Sequence, residues 1–226
     1  MRITYYHRSD TCQGGRKNTE RCLAGIELTK SARIGFRYDI VRAENDRRPK
    51  WIRPVSFSKH GEVDAILVDH VNLLDIVEIN VTQTVPQGYQ SENVRFTDQP
   101  LDVVDKVEQN SSLMDKLITE DGSLLFGNRG KAVNIEHVEQ LNYSLILVKP
   151  TNVEVSSNTS RSEKIRSSFV FNGISYDLPI TDIDCISRLS KDPTLLRSFE
   201  NIYFTISLGV EYNGWHYKLI AGVIYF

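Results

Sequence analysis

The feature that most constrains the fold is an Asn-Gly dipeptide near the end of the chain, Asn213-Gly214, with alternating apolar residues on both sides. Two-residue hairpin turns favour Asn-Gly, because both turn positions need a positive φ. The flanking residues alternate with the period of a strand that buries one face. Counting outward from the turn places every apolar side chain on one face and predicts the pairs Tyr212–Trp215, Val210–Tyr217, Leu208–Leu219, Ile206–Ala221 and Phe204–Val223.

A second Asn-Gly dipeptide, Asn172-Gly173, predicts another hairpin in the same region, with Phe171 opposite Ile174 and Phe169 opposite Tyr176. An apolar strand over 143–149 and a short helix around 186–199 complete this part of the chain. About five antiparallel strands in about 85 residues suit a small closed barrel.

The N-terminal region also alternates strands with loops. The predicted strands cover 3–7, 21–28, 51–57 and 73–81. Between the two regions, Val103, Val104 and Val107 have helical spacing after Pro100, and a further short helical turn is predicted near 135–141. We therefore predict a mainly β chain with domains at 1–98 and 140–226, joined by a partly helical connector over 99–139.

The composition is that of a globular protein, with 40% hydrophobic and 25% charged residues in 226. The sequence has no apolar run of about 18 residues that would span a membrane, and its first residues do not resemble a secretory signal. Its three cysteines, an odd number, suit a reducing compartment. We therefore expect a cytoplasmic protein in which Cys12 and Cys22 are not joined by a disulfide.

Charge is distributed unevenly along the chain. Residues 1–53 contain 13 Lys or Arg and 6 Asp or Glu, whereas the whole chain has a net charge of −2. A basic segment on a nearly neutral protein favours phosphate binding at one surface. The alternative is that the acidic stretch 62–121 supplies counter-charges to an ordinary solvated face.

Seven blocks of this sequence, taken in order, resemble the bacterial dual OB-containing domain proteins. They are residues 21–26 (RCLAGI), 51–56 (WIRPVS), 73–78 (LLDIVE), 89–93 (YQSEN), 123–127 (SLLFG), 144–148 (SLILV) and 176–182 (YDLPITD). The resemblance implies two tandem OB-like small barrels and a nucleic-acid-binding role in bacterial conflict or defence. The chain departs from the family pattern over 30–50, which is longer and more basic.

Within the basic segment, Trp51 and Arg53 lie two residues apart in a predicted strand and therefore share a face. With Arg16 and Arg21 beside the neighbouring loop, they would form a platform that stacks bases and binds phosphates. The alternative is that Trp51 is a core residue.

Two further groups are candidates for nucleic-acid binding. Tyr89, Gln90 and Asn93 combine an aromatic ring with amides that can bind base edges, although turn capping explains them equally well. Arg47 and Arg48 lie in a predicted loop where phosphate contacts are easy to make, and where arginines without a ligand are also common.

Patterns for catalysis and metal binding are weak. Cys12 and Cys22 are too far apart for a zinc knuckle, and the segment 127–132 (GNRGKA) lacks the spacing and the Ser or Thr of a phosphate-binding P-loop. Asp182 and Asp184 are typical of a turn or helix cap, and Glu211 and His216 of a cross-strand pair. We expect no catalytic residues, no metal and no cofactor.

These observations favour a non-enzymatic module that binds single-stranded DNA or RNA. A sensor of a small nucleotide and an accessory subunit that docks a protein partner are the alternatives. An enzyme whose site is composed from both barrels is a further one.

Overall fold

The structure is a computed structural model that describes residues 2–9, 20–32, 37–44, 47–58, 61–119, 122, 124–157 and 165–226. The chain is mainly β and divides into two compact units, Met1–Asn110 and Ser111–Phe226. In the described part of the chain, no helix is long and apolar enough to cross a membrane.

The strands of the N-terminal unit are β1 (Arg2–Ser9), β2 (Glu20–Lys30), β3 (Tyr38–Ile40), β4 (Trp51–Pro54), β5 (Val63–Asp64), β6 (Asp75–Glu78), β7 (Val81–Thr84), β8 (Asn93–Phe96) and β9 (Asp102–Lys106). Those of the C-terminal unit are β10 (Ala132–Asn134), β11 (Leu145–Val148), β12 (Thr151–Ser157), β13 (Ile165–Phe171), β14 (Ile174–Pro179), β15 (Ile202–Tyr212) and β16 (Trp215–Tyr225). The helices are α1 (Ser111–Asp115), α2 (Ile135–Val138), α3 (Ile183–Leu189) and the 3-10 helices Ala65–Leu67, Leu125–Gly127 and Leu195–Ser198.

The N-terminal unit is built around the long strand β2. Its described strands form one sheet in the order β7-β8-β4-β2-β1-β6-β9, and β3 and β5 also pair with β2. The pairings are antiparallel except for β4 with β8. Leu23 of β2 packs with Ile52, Val77 and Val94 in a buried apolar core. All four strands predicted for this region are confirmed.

The C-terminal unit contains two sheets in the described residues, one with the order β10-β16-β15-β11 and one with the order β12-β13-β14. A bridge between Ile180 and Ile220 links β16 to the residue that follows β14. Both predicted hairpins are confirmed, and all four turn residues have positive φ. Phe169 and Phe204 meet edge to face, with ring centroids 5.2 Å apart, in the core of this unit.

The register predicted for the last hairpin is correct at its ends and wrong in its middle. Tyr212 pairs with Trp215 and Phe204 with Val223, but Leu208 pairs with Lys218 and Ile206 with Ile220. A bulge in β15 after Leu208 shifts the pairing by one residue, and a second irregularity in β16 before Gly222 restores it. Gly209 lies in the first bulge, where an added Cβ would be 3.3 Å from the Tyr217 carbonyl oxygen.

The bulge also changes which face is buried. The side chains predicted to share one apolar face include Val210, Tyr212, Trp215 and Tyr217, and these four are exposed. His216, which pairs with Glu211 as predicted, is buried, and so is Lys218.

The helical connector predicted over 99–139 is not confirmed. Val103 and Val104 belong to β9, an edge strand of the N-terminal sheet, and the helices of this segment are short. The valines have the high strand propensity of β-branched residues, and pairing with β6 overrides the helical spacing. The unit boundary after Asn110 falls inside the segment predicted as a connector.

Two other predictions concern single side chains. Asp182 is the N-cap of α3, where it accepts from the Cys185 amide. Cys185 is a buried free thiol, while Cys12, and with it the prediction for Cys12 and Cys22, lies outside the described residues. Burial raises the pKa of the Cys185 thiol, which makes it unreactive.

Candidate nucleic-acid interface

Trp51 is largely covered in the N-terminal unit. It lies on β4, between β2 and β8, and pairs with Ile26 of β2. Only 8% of the residue is exposed. A base needs access to a ring face in order to stack on it. The burial of Trp51 therefore favours the core alternative for this residue.

Arg53 and the polar group around Tyr89 come together in the same unit. The Arg53 guanidinium lies 3.4 Å from a carboxylate oxygen of Glu92, a residue that is itself buried. The Arg53 amide also donates to the Glu92 carbonyl oxygen. Asn93 pairs with Arg53 in the sheet, and its side-chain amide donates to Gln90 Oε1 at 3.2 Å.

Tyr89 belongs to this polar group. Burial raises the pKa of its hydroxyl to about 12, while the nearby Arg53 charge opposes that rise. The hydroxyl is therefore neutral at physiological pH. Tyr89, Gln90 and Asn93, which the sequence grouped by proximity alone, are joined to Arg53 in three dimensions and connect the end of β8 to β4.

Arg21 is bound by an acidic partner. Its guanidinium donates to both carboxylate oxygens of Asp69, at 2.9 and 3.2 Å, and also to the Glu20 carbonyl oxygen at 3.0 Å. Only 8% of Arg21 is exposed. Arg16, the other predicted phosphate ligand near this loop, lies outside the described residues.

Arg47 and Arg48 lie between β3 and β4, as predicted, in a loop that is closed by a bridge between Arg42 and Pro49. Arg47 is exposed and has a positive φ, and its carbonyl oxygen accepts from the Arg42 guanidinium at 2.8 Å. Arg48 is half-buried. Arg47 is therefore the more accessible of the two.

Four cations of the basic N-terminal segment form ion pairs with carboxylates of their own unit. Its ion pairs are Arg21–Asp69 (2.9 Å), Arg37–Asp105 (2.9 Å), Lys50–Glu27 (2.7 Å) and Arg53–Glu92 (3.4 Å). Three of the four carboxylates come from the acidic stretch 62–121. Part of the excess of positive charge along the sequence is therefore compensated in space.

Among the residues whose side chains are described, the largest group of exposed aromatic side chains is at the tip of the β15–β16 hairpin. We call Tyr212, Trp215 and Tyr217 the aromatic tip; their exposed fractions are 60%, 45% and 39%. Tyr212 and Trp215 are direct cross-strand partners, and Tyr217 follows two residues along β16, so the three side chains lie on the same face. Val210, in the bulge, is also exposed.

Small residues on the neighbouring strand leave the aromatic tip uncovered. In β10, Ala132 pairs with Tyr217 and Asn134 with Trp215. The Asn134 side chain caps the next helix, because its oxygen accepts from the His137 amide as the N-cap of α2. Neither side chain is large enough to cover an indole or phenol ring.

The loop before β10 adds two cations beside the aromatic tip. Arg129 and Lys131 are exposed, and neither side chain has an ion-pair partner among the described residues. The Lys131 carbonyl oxygen accepts from the Lys218 amide at 2.9 Å, so Lys131 is next to β16. Arg129 and Lys131 are thus available to an anion at the β10 edge of the sheet that carries the aromatic tip.

Analysis of the sequence missed the aromatic tip because it assigned these residues to a buried face. The sequence did contain a signal for exposed rings, since Tyr212 and Trp215 directly flank the Asn213-Gly214 turn. On the other side of the hairpin, β11 pairs with β15 only as far as Ser207, so Tyr212 lies beyond that strand.

The strand-dominated architecture of both units is that of OB-type proteins, which bind ligands on small, curved sheets. The chain belongs to the dual OB-containing domain family, whose model matches residues 14–223. No curated protein matches the chain.

Proposed function

We propose that this chain is a non-enzymatic module that binds single-stranded DNA or RNA through the aromatic tip. The observation that carries the proposal is the exposure of three aromatic rings on one face beside two free cations. Bases stack on such rings regardless of sequence, while Lys and Arg hold the phosphates.

The spacing of the aromatic tip suits an unpaired strand. Trp215 and Tyr217 are two residues apart on one strand, which places them about 7 Å apart. Bases can occupy both rings only if they are unstacked from each other, as in single strands bound on a sheet surface. A duplex keeps its bases stacked and would not gain these contacts.

The N-terminal unit offers less to a nucleotide. A cleft of about 460 Å³ in this unit is lined by Glu20, Glu62, Asp64 and Asp98, together with Ser56, Ser58, Val63 and Leu67. Carboxylates repel phosphate groups. This lining argues against the alternative of a nucleotide sensor at this cleft. Arg16, Arg47 and Arg48 stay candidate phosphate ligands of the N-terminal unit.

We infer, from the resemblance to its family, that this binding serves a bacterial defence or conflict system in the cytoplasm. A protein partner docked by the basic segment is less favoured, because four of its cations, Arg21, Arg37, Lys50 and Arg53, are paired with carboxylates.

The first prediction tests the proposal with Trp215→Ala. Loss of one stacked base is expected to cost about 1–3 kcal/mol of binding free energy, which weakens the affinity about 5- to 150-fold. Labelled oligonucleotides of about 4–16 nucleotides are titrated at several salt concentrations. Thermal melting checks that the variant is folded, and it should melt like the wild type because Trp215 is exposed.

The two tryptophans of the chain allow an independent readout. In a Trp51→Phe background, Trp215 is the remaining indole, and its fluorescence should be quenched when a strand binds. In a Trp215→Phe background, the buried Trp51 should not respond. Phe57→Ala is the matched control, because Phe57 is an exposed aromatic residue of the N-terminal unit; it should leave the affinity unchanged.

Three results would contradict the proposal. The first is that the wild type binds no single strand at low salt, and the second is that Trp215→Ala binds normally. The third is that a mononucleotide saturates the protein and that affinity does not increase with strand length. The last of these outcomes would support the nucleotide sensor.

A further inference from the structure

Lys218 is a buried lysine directly beneath the loop that carries Arg129 and Lys131. Only 1% of the residue is exposed. Its Nζ donates to the carbonyl oxygens of Asn128, at 2.6 Å, and Gly130, at 2.8 Å. These two acceptors lie immediately before and after Arg129.

Other contacts make the same short loop rigid. The Gly130 amide donates to Asn128 Oδ1 at 2.7 Å, which closes a local turn around Arg129. The Tyr176 hydroxyl donates to the Asn128 carbonyl oxygen at 3.3 Å, and its ring centroid lies 5.2 Å from the Lys218 ammonium. The loop is therefore anchored on the core of the C-terminal unit at two carbonyl groups, those of Asn128 and Gly130.

A lysine is a costly choice for a buried position. Removing an ammonium from water carries a large desolvation penalty, which hydrogen bonds and a nearby ring offset only in part. An apolar residue of similar length would fill the same space without that penalty. What Lys218 provides in addition is directional hydrogen bonding to the main chain of this loop.

We propose that Lys218 is a positioning residue, and that the loop 128–131 which it holds is a phosphate-binding rim for the strand stacked on the aromatic tip. The proposal rests on the proposed function. Arg129 and Lys131 would each contact one backbone phosphate on the β10 side of the tip, while the bases face Trp215 and Tyr217. The ligand class is therefore a single strand with intact phosphodiester links, rather than a free base or nucleoside.

The prearranged loop explains how the two exposed, flexible side chains of Arg129 and Lys131 contribute measurably to the affinity for a strand. A cation on a mobile loop loses conformational freedom when it binds, and this loss offsets much of the electrostatic gain. Anchoring the main chain at Asn128 and Gly130 removes part of that cost before the strand arrives.

The test compares Lys218→Met with the double variant Arg129→Ala/Lys131→Ala, using single-stranded oligonucleotides at a series of salt concentrations. Each phosphate contact on a single strand contributes about 0.7 to the slope of log affinity against log salt. The double variant is expected to lower the magnitude of that slope by about 1.4 and to weaken binding at 0.1 M salt by about tenfold. Lys218→Met should reproduce most of both changes.

The three substitutions together should weaken binding, and lower the salt slope, no more than the double variant does, because Lys218 acts through the two cations. Quenching of Trp215 at saturation should persist in all of them, since the stacking surface is intact. Lys191→Ala, which removes an exposed cation elsewhere in the same unit, is the matched control and should keep the wild-type slope.

Lys218→Met could destabilise the unit, so melting is measured in parallel. Should it fail to fold, Asn128→Ala opens the same loop by removing the acceptor of the Gly130 amide, and the same reduction in slope is expected. A wild-type slope in folded Lys218→Met or Asn128→Ala overturns the positioning role, and a wild-type slope in the double variant overturns the rim. Either result can coincide with a normal Trp215→Ala effect, which keeps failure of this inference distinct from failure of the proposed function.

Discussion

Replacing Trp51 by alanine is expected to lower the free energy of unfolding of the N-terminal unit by about 3–5 kcal/mol. The residue is only 8% exposed and lies on a strand between two others, so truncation would leave a large cavity. Chemical denaturation of the variant, followed by circular dichroism, measures the loss. Because the chain has two units, the transition is fitted without assuming a single cooperative step.

Trp215→Ala is the matched comparison for this prediction, since it removes the same side chain from an exposed site. Trp51→Ala should lower stability and leave the salt dependence of binding unchanged wherever the variant is folded. Trp215→Ala should lower affinity and preserve stability. A stable Trp51→Ala variant with weakened binding would instead support the stacking platform predicted from the sequence.

Replacing Asp182 by alanine is expected to destabilise the C-terminal unit by about 2–5 kcal/mol in mildly acidic solution, because two buried amides lose their acceptor. One carboxylate oxygen accepts from the Cys185 amide and the other from the Val223 amide, both at 2.9 Å. Asp182 therefore joins the start of α3 to β16. Denaturation of the variant in a Trp51→Phe background, followed by Trp215 fluorescence, reports on this unit.

The size of the Asp182 effect should depend on pH in a defined direction. Burial raises the pKa of this carboxyl from 3.8 to about 6, against the lowering effect of the amides that donate to it. Between about pH 4 and 6 the folded protein binds more protons than the unfolded chain, so the contribution of Asp182 to stability falls as the pH rises. The cost of Asp182→Ala should be greatest near pH 4 and smaller, by up to about 3 kcal/mol, above pH 6. A cost that increases with pH would contradict this assignment.

Local turn chemistry explains why the hairpins were predictable. Asn172, Gly173, Asn213 and Gly214 have the positive φ that the sequence implied, and the pairs beside each turn are correct. The pairing farther from the second turn was not predictable, because a bulge depends on how the strand bends over its own core. The valines of β9 show a similar limit, since their spacing fits a helix and only the partner strand decides between the two.

The predictability of the site was limited by contacts between distant parts of the chain. The basic character of residues 1–53 was evident, but Arg21 and Asp69 are 48 positions apart and their pairing leaves no local pattern. Likewise, alternation identified two faces of the last hairpin without showing which face is covered near the tip. The segment 127–132 lacks the P-loop pattern in the sequence, and its anchoring by Lys218 depends on a residue about 90 positions away.

Pairing of opposite charges also affects how quickly a polyanion would reach the protein. The potential of a close ion pair falls off more steeply with distance than that of an isolated charge, so the N-terminal unit attracts a distant strand only weakly despite its many arginines. Two free cations beside the aromatic tip produce a modest local field. We therefore expect association rates near those of unsteered encounters, about 10⁵–10⁶ M⁻¹s⁻¹, so that the lifetime of the complex is governed by how slowly the stacked bases leave the rings.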